Sequence, residues 1–171
     1  MRGKYVTLVV YLVFLKVRVM RLSLSWFLKK SSKLYDFFLE GLRMAYDSLK
    51  VLVVDDSAVM RQIIKNTLKQ LGFAPGNIAD AEDGAMGLKK LEDSPVDLVV
   101  SDWNMPKMTG IEFLKAVRGG SDAIKKVNFI MVTSEADKEK IMEAVQAGVN
   151  QYIVKPFNAN QLDEKVAAIF K

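Results

Sequence analysis

The stretch VDLVVSDWNMPKMTG, Val96 to Gly110, decides the fold. Its apolar run Leu98-Val99-Val100 reads as a buried strand that delivers one carboxylate, Asp102, at its C-terminal end. A loop with Asn104, Pro106 and Gly110 follows, and an amphipathic helix begins at Ile111. Taken alone, Asp102 is either a turn or capping residue or a reactive group. The neighbouring strand ends distinguish the two.

Upstream, Leu49 to Val54 is a nearly continuous apolar run ending in Asp55-Asp56-Ser57. Such a run suits a strand buried on both faces of a parallel sheet. Val59, Met60, Ile63, Ile64, Leu68 and Leu71 then recur at helical spacing, and Gly72 closes that helix. Asn77 to Ala81 reads as a second strand, and Asp83 as the cap of a helix carrying Met86, Leu88 and Leu91. Downstream of Asp102, Gly110 to Arg118 is a helix stopped by Gly119-Gly120, and Val127 to Val132 is a strand finishing at Thr133-Ser134. A helix over Asp137 to Ala147 turns Ile141, Ala144 and Val145 inward, with Gly148 just past its end. Gln151 to Val154 is the fifth strand, finishing at Lys155-Pro156-Phe157, and the last helix sets Leu162, Val166 and Ile169 on one face. Strict strand–helix alternation implies an α/β, doubly wound, five-stranded parallel sheet covered on both faces.

Four of the five strands end in a group capable of chemistry: Asp55 and Asp56, Asp102, Thr133 and Lys155. Each has a bland alternative as helix cap, turn residue or solvated lysine. Their joint occurrence does not, because ligands of an open α/β sheet sit outside the carboxyl ends of its strands. Three carboxylates and one ammonium in one cleft sum to −2. Two like charges about 4 Å apart repel by roughly 4 kcal/mol at an effective dielectric of 20. Such a cleft either holds protons or binds a divalent cation, and magnesium suits hard oxygen ligands while keeping room for a phosphoryl oxygen. Asp102 is then the natural nucleophile for acyl phosphate formation, with Lys155 and Thr133 meeting the charge of the transferred group.

Composition narrows the alternatives. The chain has neither Cys nor His. Disulfides, thiolate chemistry, the usual zinc sites, serine–histidine catalysis and a phosphohistidine donor role are therefore excluded, and a reducing, cytoplasmic setting is permitted. Of 25 basic and 20 acidic residues, nine and two fall in residues 1–43, a balance of +7; residues 44–171 keep 16 and 18, a balance of −2. The main segment thus has no basic excess and no nucleic-acid motif.

Residues 1–43 form a basic and apolar extension outside the domain. Tyr5 to Leu15 is apolar apart from Thr7, too short for the roughly 20 residues that span a bilayer. Three readings stand. The first places the natural start at Met44, a few residues before the first strand, with the purine-rich codons of Glu40-Gly41 at the spacing of a bacterial ribosome-binding site. The others are a membrane- or partner-binding tail, with Phe27, Leu34, Phe38 and Leu42 on one helical face, and a signal peptide without a cleavage site. Membrane contact is expected only if this extension is real.

The motifs VLVVDDS, SDWNMPKMTG, MVTSEA and QYIVKPF together resemble the response-regulator receiver domain, in particular its single-domain chemotaxis regulators. The likeness covers Ser48 to Lys171 and implies the flavodoxin-like strand order 2-1-3-4-5. It implies a Mg2+ site at Asp55, Asp56, Asp102 and the main-chain carbonyl of Asn104. Asp102 would be the phosphoacceptor for a histidine kinase or small acyl phosphates. Thr133 and Tyr152 match the switch pair, Lys155 the lysine that binds the phosphoryl group, and the Lys155-Pro156 bond would be cis. Asn104 and Glu135 occupy the positions said to tune dephosphorylation. Ser57-Ala58 departs from the family pattern, which bears on a helper phosphatase and fine partner contacts but not on the site.

With no effector domain expected after Lys171, output is expected from shape. Phosphorylation would bias the face formed by the fourth helix, fifth strand and fifth helix, with Tyr152 and Lys138 at the contact patch. The leading expectation is a phospho-switch binding a flagellar motor switch protein. A phosphorelay shuttle or phosphate sink for a kinase is the alternative. An aspartate-based phosphohydrolase is third, since such enzymes carry a second acid where this chain has Asn104.

Overall fold

The computed structural model describes residues 46–134 and 137–170. The N-terminal extension, Met44 and Glu135 lie outside the described residues. Five strands, β1 (Val51–Val54), β2 (Ile78–Ala81), β3 (Leu98–Asp102), β4 (Asn128–Thr133) and β5 (Gln151–Val154), form one sheet. All neighbours are parallel and the order is β2-β1-β3-β4-β5, the doubly wound order expected. Five helices alternate with them: α1 (Ala58–Leu71), α2 (Gly84–Asp93), α3 (Gly110–Gly119), α4 (Lys138–Gln146) and α5 (Ala159–Ile169).

The sheet separates two apolar layers because successive side chains of a strand point to opposite faces. Val51, Val53, Leu98, Val100, Ile130 and Val132 meet Ile64 and Leu68 of α1 and Leu162 and Val166 of α5. Leu52, Val54, Val99, Phe129 and Met131 meet Leu91 of α2, Phe113, Leu114 and Val117 of α3, and Ala144 of α4. The Phe113 and Phe129 rings meet edge to face with centroids 5.5 Å apart.

Local signals set the helix ends. The Ser57 hydroxyl accepts from the Met60 N–H, and Asp83 Oδ1 accepts from the Met86 N–H. Thr109 with Glu112, and Asn158 with Gln161, make reciprocal capping boxes. Gly72 ends α1 at φ 106°, a left-handed conformation that favours glycine.

Four expectations are corrected. β1 starts at Val51, where pairing to both neighbours begins, and Asn77 belongs to a short 3-10 turn before β2. On α1 the buried line is Ile64 and Leu68, whereas Val59 and Ile63 are 69% and 47% exposed. They lie roughly 100–180° around the helix from that line, beyond the contact stripe. On α4, Ala144 is buried and Val145, one position on, is 60% exposed for the same reason.

Candidate functional site

The C-terminal ends of β1, β3, β4 and β5 meet as the sequence predicted. Asp55 follows β1, and its N–H is held by the Ala81 carbonyl at 3.2 Å. Its carboxylate is fully buried: Oδ1 accepts from the Ser57 N–H at 2.9 Å, and Oδ2 faces the Lys155 ammonium at 3.0 Å. Asp102, the last residue of β3, is 6% exposed. Its Oδ2 accepts from the Asn104 N–H at 2.9 Å, and its Oδ1 stands 2.7 Å from Lys155 Nζ. One ammonium therefore bridges carboxylates delivered by two adjacent strands, at charge-assisted distances.

Lys155 reaches this position because its own N–H donates to the Thr133 carbonyl at 2.7 Å, extending the β4–β5 pairing by one step. The Lys155-Pro156 peptide is cis, as the resemblance implied. Thr133 is buried at the end of β4. Tyr152, opposite Met131 in the register, is half-buried against the core beneath α2, α3 and α4, with Lys165 Nζ 5.3 Å from its ring centroid.

The crowding of charge registers at Asp102 and at Lys155. Burial pushes the Asp102 carboxyl above the ordinary carboxylate range and the charge of Asp55 adds to this, against the pull of Lys155 and the Asn104 N–H. Burial alone would lower the Lys155 ammonium, but its bonds to Asp102 and Asp55 more than reverse this and hold it above the usual lysine value. Asp56 is exposed at the rim. Among the described residues no three acidic side chains are gathered as a ready ligand set. The expected trio is instead a lysine-bridged pair, Asp55 and Asp102, with Asp56 solvated beside it. Mutual repulsion accounts for this: a buried third carboxylate would need a second cation.

The donor set fits a hard divalent ion. Every candidate ligand is oxygen, and the two buried carboxylates Asp55 and Asp102 share a single ammonium, which leaves negative charge for a cation to meet. Asp55, Asp56, Asp102 and the Asn104 carbonyl are the groups that would hold it.

The helix after this loop is fixed to the same strand end. The Gly110 N–H donates to the Trp103 carbonyl at 2.8 Å, and a Cβ at Gly110 would overlap the Asp102 carbonyl oxygen. Only glycine tolerates that approach.

Sequence reading missed two flanking contacts. Lys107 reaches back to the Asp83 carboxylate, and Arg61 reaches the main-chain oxygens of Asp55 and Asp56. The available signal for Arg61 was its place about one turn into the helix that follows the acidic pair.

With this geometry in hand, comparison with known proteins is decisive at the level of family. Residues 51–167 match the family described as the response regulator receiver domain, and the chain belongs to it. It is 50% identical over 123 residues to the chemotaxis protein CheY of Pseudomonas aeruginosa, covering 72% of this chain and 97% of that one. It is 48% identical over 124 residues to the chemotaxis protein CheY-3 of Vibrio cholerae, covering 72% of this chain and 93% of that one. Among solved structures, CheY4 of Vibrio cholerae superposes with a TM-score of 0.65 at 38% identity, over 71% of this chain and 98% of that one. The Francisella response regulator 1452 receiver domain gives 0.64 at 28% identity, over 72% and 97%.

Proposed function

We propose that Asp102 is the phosphoacceptor of a phospho-switch in chemotaxis signalling. A carboxylate oxygen of Asp102 attacks the phosphorus of a histidine kinase's phosphoimidazole. The P–N bond breaks, an acyl phosphate forms, and the imidazole leaves with its electron pair and takes up a proton. The observation that carries this reading is the Lys155 ammonium, 2.7 Å from Asp102 Oδ1 and 3.0 Å from Asp55 Oδ2. It can follow the charge from the carboxylate onto the phosphoryl oxygens without leaving the cleft.

Receiver domains generally bind Mg2+ at this position, and here Asp55, Asp56, Asp102 and the Asn104 carbonyl would hold it. When bound, it supplies neutralisation of charge on the transferred group. Thr133 would donate its hydroxyl to the phosphoryl group, and the Tyr152 ring would turn inward, altering the face formed by α4, β5 and α5. Asn104 and Glu135 would set the rate of self-catalysed hydrolysis. The relatives are named as chemotaxis proteins, which supports a flagellar motor switch protein as the output partner. No helix among the described residues is long and apolar enough to cross a membrane.

Labelling with acetyl phosphate tests the chemistry. Wild-type protein should take up one phosphoryl group in the presence of Mg2+, and Asp102→Asn should take up none; stoichiometric labelling of Asp102→Asn would overturn the assignment. Capture of the phosphorylated form against motor switch protein and kinase would test the output. Retention on the kinase alone would favour a phosphorelay shuttle or sink. Steady turnover of phosphomonoesters would favour a phosphohydrolase.

A further inference from the structure

Arg61 lies in the second turn of α1, yet its side chain turns back to the end of β1. Its Nη1 donates to the carbonyl oxygen of Asp55 at 2.7 Å and to that of Asp56 at 3.3 Å. Its Nε donates to Asp80 Oδ2 on β2 at 3.1 Å, and the other oxygen of Asp80 is held by Lys65 Nζ at 2.8 Å. The guanidinium is largely covered, with 16% of its side chain exposed. A planar fork anchored at one end by a carboxylate has little freedom left at the other. The two carbonyls it grips belong to the acidic pair that follows β1.

We propose that Arg61 is a positioning residue for the divalent-cation site, holding the Asp55-Asp56 backbone in place from an anchor on Asp80. This rests on the cation-binding part of the function proposed above. It extends the machinery to β2, a strand that carries none of the cleft's own residues. Charge makes the inference testable by sign. As a bare cation near three acids, Arg61 would oppose a second cation, and its removal would tighten Mg2+ binding. As a positioning group, its removal loosens the ligands and weakens binding, by about tenfold on the scale seen when groups that orient metal ligands are lost.

The experiment is calorimetric titration of the full chain with Mg2+, comparing wild type, Arg61→Ala, Arg61→Gln and Asp80→Asn, with amide hydrogen exchange at residues 55–58 measured without metal. Arg61→Ala should weaken Mg2+ binding about tenfold and speed exchange at those amides. Arg61→Gln, which keeps a donor but no charge, should fall between it and wild type. Asp80→Asn, which leaves Arg61 present but poorly anchored, should shift affinity the same way by less. It also keeps the test alive should Arg61→Ala fail to fold. Unchanged or tighter binding in folded Arg61→Ala, or in Asp80→Asn if that is the variant that folds, overturns the proposal, as would a lowered melting temperature with affinity unmoved. Wild-type protein that binds no Mg2+ would remove the site reading itself, a separate failure from a wild type that binds and an Arg61→Ala that binds equally.

Discussion

Lys107 Nζ stands 2.7 Å from Oδ2 of Asp83, whose side chain is 1% exposed while that of Lys107 is 65% exposed. The contact ties the loop after Asp102 to the cap of α2, and Lys107 adopts a left-handed backbone, φ 63°, in making it. The Lys107 hydrogen bond, then the Met86 N–H, hold the Asp83 carboxyl below the usual carboxylate range. A depressed folded-state value means that this stability is fully present above the unfolded value of about 3.9 and lost as pH falls through the folded one. Asp83→Asn should therefore flatten the decline of stability on acidification below about pH 4. Urea midpoints from pH 5 to pH 3 would check this; an unchanged slope would remove Asp83 from the account.

Asp102 has the opposite sign. Its folded-state carboxyl is raised, chiefly by burial, so the folded protein binds a proton more readily than the unfolded chain. Stability contributed by this group falls as pH rises from the unfolded value of about 3.9 to the raised one, and is flat above that. Asp102→Asn removes a like charge from Asp55 at the cost of one Lys155 contact. We expect a net gain on the order of 1 kcal/mol at pH 7 in metal-free buffer. A loss of stability would contradict it.

Lys155→Ala takes away the cation shared by two covered carboxylates. Removing one partner of a buried pair costs about 3–5 kcal/mol. Because 22% of the lysine side chain is exposed, solvent screening reduces the expected loss to about 2 kcal/mol. Excess Mg2+ should restore part of it, since a second cation then serves the same oxygens. Denaturation with chelator and with Mg2+ would show whether the two curves converge.

Phe113 is fully buried between α3 and the sheet. Phe113→Ala should cost about 4 kcal/mol through lost burial and a residual cavity. The exposed Val145→Ala on α4 should stay within about 0.5 kcal/mol. Equal effects would mean that the buried layer is misassigned.

The alternation of strands and helices was legible because each strand is a short apolar run closed by a turn signal, as at Val51–Val54 and Leu98–Asp102. The strand-end residues Asp55, Asp102, Thr133 and Lys155 were legible for the same reason: parallel strands place their C-terminal ends together. That Lys155 bridges both acids was not legible, because it depends on the Lys155 N–H meeting the Thr133 carbonyl in the register. Arg61 and Lys107 escaped notice because a long flexible side chain does not declare its direction in sequence. Val59, Ile63 and Val145 were over-read. Periodicity marks apolar positions, but the width of the buried stripe is set by the neighbouring elements.

The glycine at the start of α3 has one more consequence. With no side chain between the helix backbone and the Asp102 carbonyl, and with the Trp103 carbonyl bonded to the Gly110 N–H, strand end and helix start behave as one rigid piece. Under the proposed phospho-switch, strain created at the Asp102 carboxyl would find little slack on that side and would pass instead toward Thr133 and Tyr152, so that a single atom-sized packing constraint would give the signal its direction of travel.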